Sequence, residues 1–160
     1  MLIERRLREL GLDLPAALRN PSGSSYPFRW VRLQGDRAFV SGHLPTRGDG
    51  TLGQVRGKVG ELVTVAEATA AARQVALAML GSLQRELGDL DRVLSWGRVC
   101  GMVNTAPGFT ALSEVLGGFS HLILDIYGAE RGAHARSAVG VAALPYDVPV
   151  EIDAEVLISC

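Results

Sequence analysis

Thr64-Val65-Ala66-Glu67-Ala68-Thr69-Ala70-Ala71-Ala72-Arg73-Gln74-Val75-Ala76-Leu77-Ala78-Met79-Leu80-Gly81-Ser82-Leu83-Gln84-Arg85-Glu86-Leu87 is the clearest periodic stretch of the chain. Val65, Ala68, Ala72, Ala76, Met79, Leu80, Leu83 and Leu87 recur every three or four positions, which gives a helix one apolar face. Glu67, Gln74, Gly81 and Arg85 mark the opposite face. Thr64 and Glu67 have the spacing of a capping box, and Gly88-Asp89 ends the pattern. The many alanines permit close approach to a sheet or a second helix. A long helix over 65–87 is therefore the first fixed point.

Downstream, Arg92 to Met102 reads as a strand with Val93, Ser95, Gly97, Val99 and Gly101 on one face. Leu94, Trp96, Arg98, Cys100 and Met102 fall on the other. A second helix is expected from about Pro107 to Tyr127, with Pro107 in its first turn and Leu112, Val115, Leu116, Phe119, Leu122, Ile123 and Ile126 as its buried stripe. Gly117-Gly118 interrupts that stripe and predicts a close packing contact. Two last strands, Arg136 to Ala143 and Val150 to Ile158, flank the turn Leu144-Pro145-Tyr146-Asp147-Val148-Pro149. Upstream, Phe28 to Leu33 and Ala38 to Ser41 predict two strands joined by Gln34-Gly35-Asp36-Arg37. Leu2 to Leu10 predicts a short amphipathic helix that packs on the domain, the start of an N-terminal extension over 1–14.

The order of elements predicts a two-layer α/β (α+β) domain, 1–160, with two long helices on one face of the sheet. The other face then needs a cover. Trp30, Trp96, Arg98 and Cys100 are available to line it, and burial against further subunits is one solution.

Composition removes several classes of function. Sixteen basic and seventeen acidic residues give a charge of −1, which disfavours a general nucleic-acid binder. Lys58 is the only lysine, so Schiff-base chemistry has one amine to use. The five glycines between Leu44 and Gly60 form neither GxGxxG nor GxxxxGK[ST], so they predict a loop without a phosphate site. Two cysteines, Cys100 and Cys160, and three scattered histidines make no zinc pattern. Cys100 reads as packing within its strand, and Cys160 as a terminal thiol able to cross-link. No apolar run approaches a membrane span, so a cytoplasmic location and no membrane partner are expected.

The last two strands hold the most suggestive polar residues. Glu151, Asp153 and Glu155 share the face opposite Val150, Ile152, Ala154, Val156 and Ile158. Arg136 offers a bidentate guanidinium suited to a carboxylate, and equally to a salt bridge. A simple hairpin would set Arg136 opposite 156–158 and Glu151 opposite Ala143, too far apart for one small molecule. Either the register differs, or Arg136 of one chain works with Glu151 of the next. His43 lies at a strand end after Ser41-Gly42, and His134 lies two residues before Arg136. His121 falls on the polar side of the second helix. Asn104, just past the long strand, is a polar contact or a helix cap.

Taken together, these segments resemble the RidA (YjgF-like) family. Phe39-Val40-Ser41-Gly42-His43-Leu44-Pro45 is similar to its FVSGQ-[IL]-P stretch, and Thr64-Val65-Ala66-Glu67 to the opening of its first long helix. Gly88-Asp89-Leu90-Asp91-Arg92-Val93 and Val103-Asn104 resemble its next landmarks. Ala135-Arg136-Ser137-Ala138-Val139, Leu144-Pro145 and Val150-Glu151-Ile152 resemble its C-terminal signature. The match runs from about Pro27 to Val156, within a core over 27–158. It implies a chorismate-mutase-like fold with a mixed sheet, assembled as a barrel-centred homotrimer with clefts between subunits.

The resemblance also implies hydrolysis of reactive enamines or imines (2-imino acids) to 2-oxo acids and ammonia, with no metal and no cofactor. Arg136 then binds the substrate carboxylate and Glu151 orients the attacking water. Phe28, Ser41, Gly42, His43, Asn104, His134 and Ala138 shape the pocket. Four of these depart from the family pattern. Phe28 stands where a tyrosine is usual, Ala138 for a cysteine, His134 for a proline and His43 for a glutamine. The alternative readings are a non-catalytic trimer that binds a small carboxylate and, more weakly, an endoribonuclease.

Overall fold

Antiparallel pairing of Val31–Gln34 (β1) with Arg37–His43 (β2) places the first hairpin at one edge of a five-stranded sheet. The structure, a computed structural model, describes residues 1–159, so the reading of Cys160 lies outside the described residues. Beyond β2 come Val150–Ile158 (β5), Val93–Asn104 (β3) and Ala135–Val141 (β4), giving the order β1-β2-β5-β3-β4. β5 runs antiparallel to both neighbours, and β3 and β4 are parallel. The sheet is mixed, as expected. The predicted pairing of the last two strands is corrected: β3 lies between β4 and β5. The turn after β4 carries the chain across β3 into a central slot, where Val150, Ile152, Ala154, Val156 and Ile158 are all buried.

Leu2–Glu9 (α1), Val65–Leu87 (α2) and Leu112–Gly132 (α3) complete the fold. α2 has the predicted limits. Thr64 Oγ1 accepts from the Glu67 N–H and the Glu67 carboxylate accepts from the Thr64 N–H, which satisfies two orphan donors. α3 starts later than predicted, because Pro107 serves the β-turn closed by the Phe109 N–H on the Ala106 carbonyl. The fixed φ of proline suits that turn as well as a helix start. α2 and α3 pack on each other and on one face of the sheet. A Cβ at Gly118 would collide with the Thr69 carbonyl group, so glycine is what lets the two helices approach. Phe119, Met79, Leu83 and Ile152 are fully buried between the layers. Truncating a side chain such as Phe119 to alanine would cost about 3–5 kcal/mol.

Two bulges change which side chains face the helices. β3 carries an extra residue between Val93 and Ser95 and another between Trp96 and Arg98. Trp96 is therefore buried against Phe119 and Tyr127, with ring centroids 5.8 and 5.9 Å away, and does not line the open face as expected. Arg98 and Cys100 do line it, beside Phe39, Asp153 and Glu155, around a hollow of about 710 Å³. α1 docks by Ile3 and Leu7, while Glu4 accepts from the Leu90 N–H at 2.9 Å and Asp91 accepts from Ile3 at 3.1 Å. No helix among the described residues is long and apolar enough to cross a membrane.

Candidate functional site

Strand register decides where the candidate residues point. Val99 of β3 pairs with Arg136 on one side and Ala154 on the other, whereas Met102 pairs with Glu151. Paired residues share a face. Val99 and Ala154 are buried toward the helices, so Arg136 leaves β4 on the helix side, and Glu151 leaves β5 on the open side. Two strand spacings and three residues separate them, about 14 Å between Cα atoms. Within one chain Arg136 and Glu151 do not meet, and each opens into its own cavity.

The Glu151 cavity, about 370 Å³, is lined by Tyr26, Phe28, Trp30, Gly42, Tyr146 and Glu151, with Leu44 and Pro145 completing the wall. Glu151 is half-buried, and burial first, then the nearby Asp153 carboxylate, raises its pKa above the usual carboxylate range. A bulge between Val40 and His43 puts Ser41 and Gly42 together on this side of β2. The Glu151 carboxylate lies directly over Gly42, where a Cβ would stand 3.0 Å from its carboxyl carbon. Tyr26, Phe28 and Trp30 alternate along the chain before β1 and gather their rings, with centroids 5.3, 5.0 and 5.1 Å apart. The Tyr26 hydroxyl is buried beside that of Tyr146, and burial first, then the Tyr146 hydroxyl, pushes its pKa up to about 12.

Tyr146 enters the cavity from a strained turn. Tyr146 and Asp147 both have φ of 56°, the left-handed region that side chains disfavour. Asn104, fully buried, holds this turn by donating from Nδ2 to Asp147 Oδ1 at 3.0 Å. Lys58 Nζ donates to Asn104 Oδ1 at 2.9 Å and also to the Ala142 carbonyl. The sole lysine is thus a structural donor. Asn104 acts on the pocket through the turn it fixes.

The Arg136 cavity, about 540 Å³, lies along α3 and is lined by Ser113, Gly117, Ser120, His121, His134 and Arg136, with Glu114, Leu124 and Ala133 around them. Arg136 donates to Ser120 Oγ at 2.9 Å and to Ser113 Oγ at 2.7 Å. His134 Nδ1 contacts the Gly132 carbonyl at 2.7 Å, so the proton sits on Nδ1. His134 Nε2 is then the acceptor for the Ser120 hydroxyl at 2.9 Å. Burial lowers the His134 pKa, which keeps the ring neutral. A directed chain runs from the Arg136 cation through Ser120 to His134. Ala138, in register with Gly101, is on the Arg136 face and partly buried against the core.

His43 is placed elsewhere. The extra residue at Ser41-Gly42 returns it to the helix side, where it is buried between Ser82 and Trp30. Its Nδ1 donates to the Ser41 carbonyl at 2.7 Å and its Nε2 accepts from Ser82 Oγ at 2.8 Å. Burial lowers its pKa to about 4. Ser41 itself donates to the Arg29 carbonyl at 2.7 Å, on the wall of the open-face hollow with Cys100. The Cys100 thiol is pushed up by burial and by Asp153, so it is not an activated nucleophile.

Sequence reasoning missed Ser113, Ser120, Trp30 and Tyr146 as site residues. Ser113, Gly117 and Ser120 had a signal, since spacings of four and three place small or polar residues on one helix face. Tyr146 had none, because its position depends on an unusual φ. The family model described as Endoribonuclease L-PSP matches residues 23–158. Protein TCP17 of Trypanosoma cruzi is 43% identical over 153 residues, covering 95% of this chain and 91% of its own. Atu1372 of Agrobacterium tumefaciens shares the fold at a TM-score of 0.86 and 37% identity, covering 99% of this chain and 93% of its own. A candidate endoribonuclease of Shewanella oneidensis matches at 0.87 and 27% identity, covering 98% and 99%.

Proposed function

The chain belongs to the endoribonuclease L-PSP family, also called RidA or YjgF-like, and from that premise we propose that it hydrolyses 2-imino acids to 2-oxo acids and ammonia at clefts between subunits. The observation that carries this reading is the Glu151 carboxylate. It is half-buried, raised in pKa and seated over a glycine in a cavity with no basic side chain on its wall. Such a group is suited to take a proton from an attacking water near neutral pH.

The chemistry needs little more. Water adds to the C=N carbon as Glu151 accepts its proton, leaving a carbinolamine. Glu151 returns that proton to nitrogen and then takes the hydroxyl proton as the C=O bond forms and ammonia leaves, and that last proton passes to the ammonia as ammonium. Arg136, positioned by Ser113 and Ser120, binds the substrate carboxylate. Since Arg136 and Glu151 face opposite sides of one sheet, the working cleft takes Arg136 from one subunit and Glu151 from another, in a homotrimer. β4 is a sheet edge with unpaired backbone groups, which favours such an assembly.

The test is the disappearance of 2-iminopropionate and bulkier imino acids generated in situ by an amino-acid oxidase. Wild type accelerates it, and Arg136→Ala and Glu151→Gln each abolish the acceleration. Equal mixtures of the two inactive variants, co-expressed, recover about a quarter of the wild-type rate, because random assembly gives that share of intact clefts. No acceleration with any imino acid overturns the activity, and inactive variants that show no recovery on mixing overturn the shared cleft.

A further inference from the structure

We infer that the Glu151 cavity is a subsite for an organic cation with apolar substituents, and that in the reaction it takes the protonated imine. Four aromatic rings, Tyr26, Phe28, Trp30 and Tyr146, share one cavity with one carboxylate and no basic residue. Ring faces carry negative quadrupole potential, so rings and carboxylate act in the same direction: they attract a cation and repel a second anion. A hard metal ion is poorly served here, because one carboxylate and aromatic faces cannot replace six or more oxygen ligands. A weakly hydrated nitrogen cation loses little water and gains both contacts.

Three features of the wall support this reading independently. Tyr26 and Phe28 each meet Trp30 edge to face at 5.0 and 5.1 Å and lie tilted to one another at 5.3 Å, which fixes the three rings without filling the cavity. Two successive residues, Tyr146 and Asp147, are kept at φ of 56° by the Lys58–Asn104–Asp147 chain, and the result of that strain is to set the Tyr146 ring at the cavity. The Tyr26 hydroxyl, buried beside that of Tyr146, adds a polar group to the wall that an oxygen of a bound ligand can meet.

The catalytic consequence rests on the imine-hydrolysis reading, whereas the binding consequence does not. Water attacks a C=NH2+ carbon more readily than a neutral C=NH carbon. A cavity that favours the cation holds the substrate in its electrophilic form, and the overall step balances as R(CO2−)C=NH2+ + H2O → R(CO2−)C=O + NH4+. The apolar wall further selects imino acids with aliphatic or aromatic R groups over the smallest ones.

Binding is read by NMR from the two indole N–H signals of the 15N-labelled full chain, because Trp30 lines the cavity and Trp96 is buried in the core. Choline is compared with its uncharged isostere, 3,3-dimethylbutan-1-ol. Choline is expected to move the Trp30 signal and leave Trp96 in place, with the alcohol binding at least tenfold more weakly. Glu151→Gln and Phe28→Leu should each weaken choline several-fold, and Phe28 is exposed enough to be replaced without unfolding the chain. Equal binding of choline and the alcohol, or an unmoved Trp30 signal up to about 50 mM, overturns the subsite. Imine hydrolysis without choline binding removes the subsite and leaves the activity. Choline binding without hydrolysis does the reverse.

Discussion

The Glu151 carboxylate occupies the space that a side chain at Gly42 would need. The contact joins the central strand to the bulge of β2, and it makes the smallest residue in the cavity a determinant of where the carboxylate sits. Gly42→Ala should swing the Glu151 side chain away, since its flexible end yields more easily than backbone. Imine hydrolysis should fall at least tenfold while the melting temperature changes by only a few degrees. Full activity in Gly42→Ala would show that the position of the carboxylate does not matter.

Asp153 raises the Glu151 pKa from two residues along the same face of β5. In the proposed reaction Glu151 works ionised, so activity should fail on acidification at a higher pH than an ordinary glutamate would allow. Asp153→Asn removes the repelling charge and lets Glu151 ionise more easily. The acidic limb of the kcat/KM profile should move to lower pH by up to about one unit. An unmoved or upward-moved limb would exclude the coupling.

Ser120 positions Arg136 by accepting from its guanidinium while donating to His134. Ser120→Ala should raise KM for the imino acid about three- to tenfold, the value of one hydrogen bond, with kcat little changed. Ser120→Thr, which keeps the hydroxyl, should recover most of the affinity. A loss confined to kcat would contradict a carboxylate-binding role for Arg136.

His43 gives a stability signature instead of a kinetic one. Its folded pKa is about 4, below the 6.5 of a free histidine, so between these values the unfolded chain binds a proton that the folded chain refuses. Stability is therefore complete above about pH 6.5 and falls as pH drops toward 4, by on the order of 3 kcal/mol. Thermal unfolding across that window should show a shallower slope in His43→Gln than in wild type. Identical slopes would remove His43 as the source.

α2 was legible because local rules act alone there: Thr64 and Glu67 cap it and a 3.6-residue period runs unbroken to Gly88. Strand faces were less so, for one physical reason. Each bulge inserts a residue and reverses the parity of everything beyond it, which buried His43 and Trp96 against expectation. The insertion at Ser41-Gly42 leaves no mark in composition. The order β5-β3-β4 was also illegible, because adjacency in sequence favours a hairpin and only the competition for the central slot decides otherwise. The arginine and the glutamate were visible as residue types, whereas their separation was reckoned from a hairpin that β3 interrupts. The aromatic wall was hidden by the irregular backbone that builds it.

The Lys58 amine, already engaged by Asn104 and the Ala142 carbonyl, has a practical consequence for tests of the proposed trimer. Ester reagents that label amines find no second lysine anywhere in this sequence, and the one they find anchors the strained turn. Acylating it should loosen Tyr146 before it links any two subunits. Cross-linking of this protein is better directed at its abundant carboxylates and arginines, and a change in choline affinity on acetylation would report the state of a turn that the reagent never touches.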